Sequence, residues 1–155
     1  MLADFPVTID YAQVLVQTEG RAAQGLLWTD DHVAQGFAWS QGHVSFGVPD
    51  HDGECRIEVD LAQGDALDPH ALWAVQTPFL VTGPVQIGAI FDLRSVAIPI
   101  GNYTLTYQAL TGDGDYTYVL RLTFSRSDAP DFRILKRGGD ITADTVLRRD
   151  AEPAQ

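Results

Sequence analysis

The segment Gly42-His43-Val44-Ser45-Phe46-Gly47 carries the residue types of a serine nucleophile and its base. A nucleophile elbow sets its first glycine two residues before the serine, on a sharp turn from strand to helix. Here that glycine stands three residues before Ser45, and the surrounding pattern predicts strands on both sides of a turn. On one strand face His43 and Ser45 lie about 7 Å apart, too far for direct proton transfer. They read as polar residues on a solvated strand face, and hydrolase chemistry is set aside.

Metal chemistry fares no better. Asp50-His51-Asp52-Gly53-Glu54 has the alternating carboxylates and the glycine of a calcium loop. It lacks the third aspartate and the distal bidentate glutamate of the helix-loop-helix calcium site. A tight polar turn between strands calls for the same residues. Asp30-Asp31-His32 is accounted for by helix capping, and His32, His43, His51 and His70 show none of the paired spacings of zinc ligands. Gly112-Asp113-Gly114 joins two strands instead of opening a helix, which makes it a hairpin turn and no phosphate cradle. The sequence predicts no catalytic set, no metal and no cofactor.

Surfaces remain. Glu54, Arg56, Glu58 and Asp60 share one face of an alternating strand, and Asp50 and Asp52 precede them. With strands rising about 3.3 Å per residue, this row spaces carboxylates about 6–7 Å apart, close to the phosphate step of a nucleic-acid strand. Such a row suits the basic groove of an enzyme that handles DNA. Asp30 and Asp31 form a second acidic group. Trp28, Trp39 and Trp73 each sit beside an apolar pattern and read as core or core rim.

Composition supports an acidic binding surface. The 155 residues hold 21 acids and 10 bases, a formal charge of −11, and 45% hydrophobic residues. That length and apolar content predict one domain with its own core, over residues 1–147, and a frayed tail at 148–155. Fifteen acids and three bases fall before residue 121, so the acidity belongs to the body of the domain. Direct nucleic-acid binding needs clustered Lys and Arg and is excluded for that body. The single cysteine, Cys55, fits a reducing compartment. With no basic leader and no long apolar run, the expectation is a cytoplasmic protein with no membrane contact.

The elements that must carry these residues are strands. Residues 6–17 read as one long strand with a bulge near Ala12-Gln13, where the apolar parity shifts. Thr29 to Gly36 reads as a short helical turn, with a hydroxyl cap, two early acids and a closing glycine. Strands follow at 37–39, 44–48, 54–61, 73–81, 85–91 and 93–98, with Pro78 marking an edge or bulge. Residues 103–108 and 116–124 form a hairpin, and 132–135 adds a short last strand. The fold class is all-β: an antiparallel β-sandwich or open barrel of about eight to ten short strands with one short helical turn.

Trp28-Thr29-Asp30, Gln35-Gly36-Phe37-Ala38 and Val44-Ser45-Phe46, in that order, resemble the core pattern of the competence protein J family. Ile98-Pro99-Ile100-Gly101-Asn102-Tyr103-Thr104-Leu105 resembles that family's later proline–glycine–tyrosine strand. The stretch around 48–72 and the C-terminal end are longer here, and the last segment is not acidic. The resemblance implies a small acidic inhibitor of a bacterial DNA nuclease, without enzymatic activity of its own. Its partner would be a nuclease or another cationic protein. The expected contacts are Asp50, Asp52, Glu54, Glu58 and Asp60, with Asp30 and Asp31 second. The alternative is a small-molecule or carbohydrate-binding module, with a ligand held between sheets lined by Trp39, Trp73 and Tyr103.

Overall fold

In the computed structural model, residues 2–9, 12–19, 26–48, 53–62, 67–89, 92–112 and 116–152 are described. They form eleven strands and one short helix. One sheet holds β1 (Ala3–Ile9), β5 (Gly53–Ala62), β6 (Trp73–Val81), β9 (Gly101–Thr111), β10 (Tyr118–Arg126) and β11 (Arg133–Lys136). Its order is β1-β5-β10-β9-β6-β11. The other holds β2 (Gln13–Thr18), β3 (Phe37–Ser40), β4 (His43–Gly47), β7 (Val85–Ala89) and β8 (Asp92–Val96), in the order β3-β4-β2-β7-β8. The result is a two-sheet sandwich and no closed barrel. Pairing is antiparallel except between β5 and β10, which run parallel with Glu58 opposite Arg121.

The expected single strand over 6–17 is two strands in different sheets. β1 ends at Ile9, β2 starts at Gln13, and Ala12 between them sits at φ 51. The parity shift near Ala12 marks a chain crossing from one sheet to the other, where a bulge would have kept it in one. Left-handed backbone at a non-glycine residue turns the chain sharply. Pro78 falls where expected, because β11 pairs with β6 only over residues 74–76 and leaves Pro78 on a free edge.

Alternation sorts the core. Val7, Ile57, Val59, Leu120, Leu122, Leu105 and Tyr107 point inward from the first sheet; Val14, Val16, Val44, Phe46 and Ile87 meet them from the second. The Phe46 ring stacks on Tyr107 at 4.7 Å, and the Tyr107 hydroxyl donates to the Gly47 carbonyl at 2.9 Å. One tyrosine therefore ties both sheets with its face and its polar tip. Burial pushes the Cys55 thiol up to about 11, which leaves it protonated and poorly nucleophilic at neutral pH.

The outer face of the second sheet is covered as well. His43 and Ser45, expected on a solvated face, are buried, and the Ser45 hydroxyl accepts the Trp28 indole N–H at 3.0 Å. The segment leading into the helix crosses this face, which alternation within β4 could not foretell.

Candidate partner-binding site

Two acidic regions lie on the described surface, and their chemistry differs. On the outer face of the first sheet, Glu58 stands opposite Asp4 of β1 and Arg121 of β10. Arg56 grips Asp4 with two 2.6 Å hydrogen bonds and reaches Glu58 at 3.0 Å. Arg121 binds Glu58 at 3.1 Å and Asp68 at 3.0 Å. Asp4, Arg56, Glu58, Arg121 and Asp68 thus make a ladder of alternating charge across three strands and a loop. The Glu58 side chain is only 12% exposed. The His70 backbone N–H, together with Arg121, holds the Asp68 carboxyl below its usual range.

Of the row expected on β5, Glu54 is exposed and forms no ion pair among the described residues. Asp60 is half-buried, and its carboxylate accepts the Leu61 N–H at 3.1 Å. Asp50 and Asp52 lie outside the described residues. The ladder arises from partners 52 and 63 residues away in sequence, which β5 by itself does not reveal.

The second region surrounds α1 (Asp30–Gln35). Asp30 and Asp31 occupy the first turn, exposed and without ion pairs among the described residues. Their charge favours the helix start. The helix is six residues long and would be marginal alone. It is held from below by polar groups. The Thr29 N–H donates to His32 Nδ1 at 2.9 Å, so this nitrogen carries no proton, and Nε2–H donates to the Asp150 carbonyl at 2.8 Å. Gln35, fully buried, uses its whole amide. Its oxygen accepts the N–H groups of Leu147 and Arg148, each at 2.9 Å, and its nitrogen donates to the carbonyls of Arg148 and Phe37. Residues 148–152, expected to fray, are tied here, with Leu27 N–H also donating to the Glu152 carbonyl at 2.6 Å.

Gly36 closes the helix at φ 86, and a side-chain Cβ there would stand 2.5 Å from Ile141. The left-handed backbone there favours glycine, and a Cβ would also push the Ile141 side chain aside. Beside it opens a cleft of about 400 Å³ walled by Ala12, Trp28, Val33, Val48, Trp73 and Ile141. Asp140 also lines it and has no ion pair among the described residues. Trp73 belongs to this cleft, whereas Trp39 donates its N–H to the Pro78 carbonyl and packs edge-on to Phe132. Tyr103 donates to the Pro99 carbonyl and lines a separate hollow of about 330 Å³ with Phe124 and Arg126. The three aromatic residues expected to line one ligand pocket are not brought together.

The described residues form a small two-sheet β-sandwich, with paired charges on one face and a cleft lined by Asp140 beside the single helix among them. The chain belongs to the competence protein J (ComJ) family, whose pattern matches residues 6–125. Among solved structures it is similar to ComJ from Bacillus subtilis, described as an inhibitor of the DNA-degrading activity of NucA. The two share 23% identity at a TM-score of 0.68, over 79% of this chain and 95% of that one. A second solved protein, crocagin biosynthetic gene J, is 10% identical at a TM-score of 0.46, over 78% of this chain and 94% of its own. No curated protein matches the chain. Residues 126–152, including the segment that locks α1, fall beyond the matched span. No helix among the described residues is long and apolar enough to cross a membrane.

Proposed function

We propose that this protein is a non-enzymatic inhibitor of a bacterial DNA nuclease and acts by occluding the basic groove that receives DNA. Family membership over residues 6–125 carries the reading. The charge of −11 supports it, since an acidic surface steers a cationic partner and competes with phosphate. A reducing cytoplasm is the proposed setting. Within the acidic face the reading favours Glu54, Asp30 and Asp31, which are exposed and form no ion pair among the described residues, with Asp50 and Asp52 beside Glu54 in sequence. Glu58 is discounted, because its carboxylate is already divided between Arg56 and Arg121.

The test is degradation of double-stranded DNA by a NucA-type nuclease from the same host, with and without the purified protein. Inhibition is expected, with an association rate that falls steeply between low and physiological salt. Degradation that proceeds undiminished at large molar excess of the protein overturns the reading, and a salt-independent on-rate overturns its electrostatic part.

A further inference from the structure

We infer that the cleft between α1 and residues 139–141 is the anchoring site for the partner, taking one aromatic or branched apolar side chain from a basic loop of the nuclease. The inference rests on the inhibitor reading above and names the contact it uses. The cleft's volume, about 400 Å³, is within the range of formed ligand sites. Its chemistry selects an apolar guest. The Trp28 N–H is already given to Ser45, and the Trp73 N–H is shut away from solvent. Among the described residues, Gln13 and Asp140 are the only other polar side chains in the wall. A sugar or other polar small molecule needs several convergent hydrogen-bonding groups, and these walls do not supply them.

The rim selects the guest's neighbours. Asp30 lies one turn before Val33 on the same helix face, and Asp140 stands in the opposite wall. Both are exposed, and neither is engaged in an ion pair among the described residues. An apolar pocket edged by exposed carboxylates fits an apolar side chain flanked by Lys or Arg, the usual design of an anchor inside a charged rim. Val33, 42% exposed, forms the lip. One wall, Gly139 to Ile141, lies beyond the residues matched to the family. Partner choice would then depend partly on this wall.

The experiment compares Val33→Glu with Leu80→Glu, a residue of nearly equal exposure (43%) on β6 outside the cleft. Both variants are titrated against the same-host NucA-type nuclease, with binding and DNA degradation as readouts. Glutamate keeps the attractive charge sign, so a loss reports the apolar contact. Binding should weaken about tenfold or more for Val33→Glu, as for an anchor residue, and by less than about twofold for Leu80→Glu. Should Val33→Glu fail to fold, Val33→Gln against Leu80→Gln carries the same comparison, since neither adds a positive charge. Wild-type inhibition with the cleft variants unaffected, or with the control equally weakened, overturns the cleft and leaves the inhibitor reading standing. Absence of inhibition by the wild type overturns both.

Discussion

The β5 face and the α1 face are both acidic in sequence, and they spend that acidity in opposite ways. On the β5 face three carboxylates meet a guanidinium, Asp4 and Glu58 sharing Arg56 and Glu58 and Asp68 sharing Arg121, while Glu54 at the start of β5 forms no ion pair among the described residues. The ladder is a self-contained device that zips β1, β5 and β10 together. On α1 Asp30 and Asp31 are exposed and form no ion pair among the described residues, while the buried Gln35 and His32 do the holding. A charge count treats the two faces alike. What separates them is whether the neighbouring strand supplies a counter-ion, and a surface with its ions unpaired is the one that can offer them to a partner.

The comparison can be broken most forcefully at Gln35. Gln35→Leu removes four hydrogen bonds and strands the amides of Leu147 and Arg148 in a partly buried setting. Leaving such groups unsatisfied costs about 1–3 kcal/mol each. The variant should lose about 2–4 kcal/mol in urea unfolding, with allowance for water reaching the freed groups. An unchanged midpoint would mean that the C-terminal segment does not secure α1.

A smaller and more pointed contrast comes from neutralising each face in turn. Asp30→Asn with Asp31→Asn should slow association with the nuclease several-fold at low salt, an effect that vanishes at high salt. Its stability cost should stay within about 1 kcal/mol per lost helix-start charge. Glu58→Gln should do the reverse: lower stability by about 1 kcal/mol and leave the on-rate alone. If Glu58→Gln slows association while the aspartate pair does not, the assignment of paired and free acids to structure and binding is wrong.

The smallest effect is a pH dependence. The Asp68 carboxyl is held low in the folded protein, chiefly by the His70 N–H and then by Arg121. Folding therefore favours its ionised form. The contribution is fully present above the ordinary aspartate value and is lost as pH falls through the lowered one. Urea midpoints measured from neutral to acid pH should fall less steeply in Asp68→Asn than in wild type over that window. Parallel profiles would remove Asp68 from the ladder's energetics.

Much of the fold was legible along the chain because a strand's side chains alternate locally. Cys55, Ile57, Val59 against Glu54, Arg56, Glu58 defines β5, and Thr29 to Gly36 spells out α1 with its cap and closing glycine. The misread strand over 6–17 has a local cause too: a parity shift signals equally a bulge and a crossing between sheets. Less of the site could be seen. Trp73, expected at the core rim or in one ligand pocket with Trp39 and Tyr103, instead shares a cleft with Trp28 and Ile141. Gln35 offered the one overlooked hint, a polar residue immediately before the closing glycine on the helix side that must face inward.

The sequence by itself determined most of the strands, the helix, the sign of the charge and the kinship with the competence protein J family, because each depends on residue type and short-range spacing. Only the tertiary structure decided which acids are free. Arg121 reaches Glu58 through a parallel pairing across 63 residues, and Asp140 lines one cleft with Val33 only because the C-terminal segment returns to α1. The strength of a charge at a surface depends on its nearest counter-ions and its access to water, and both are set by non-local packing.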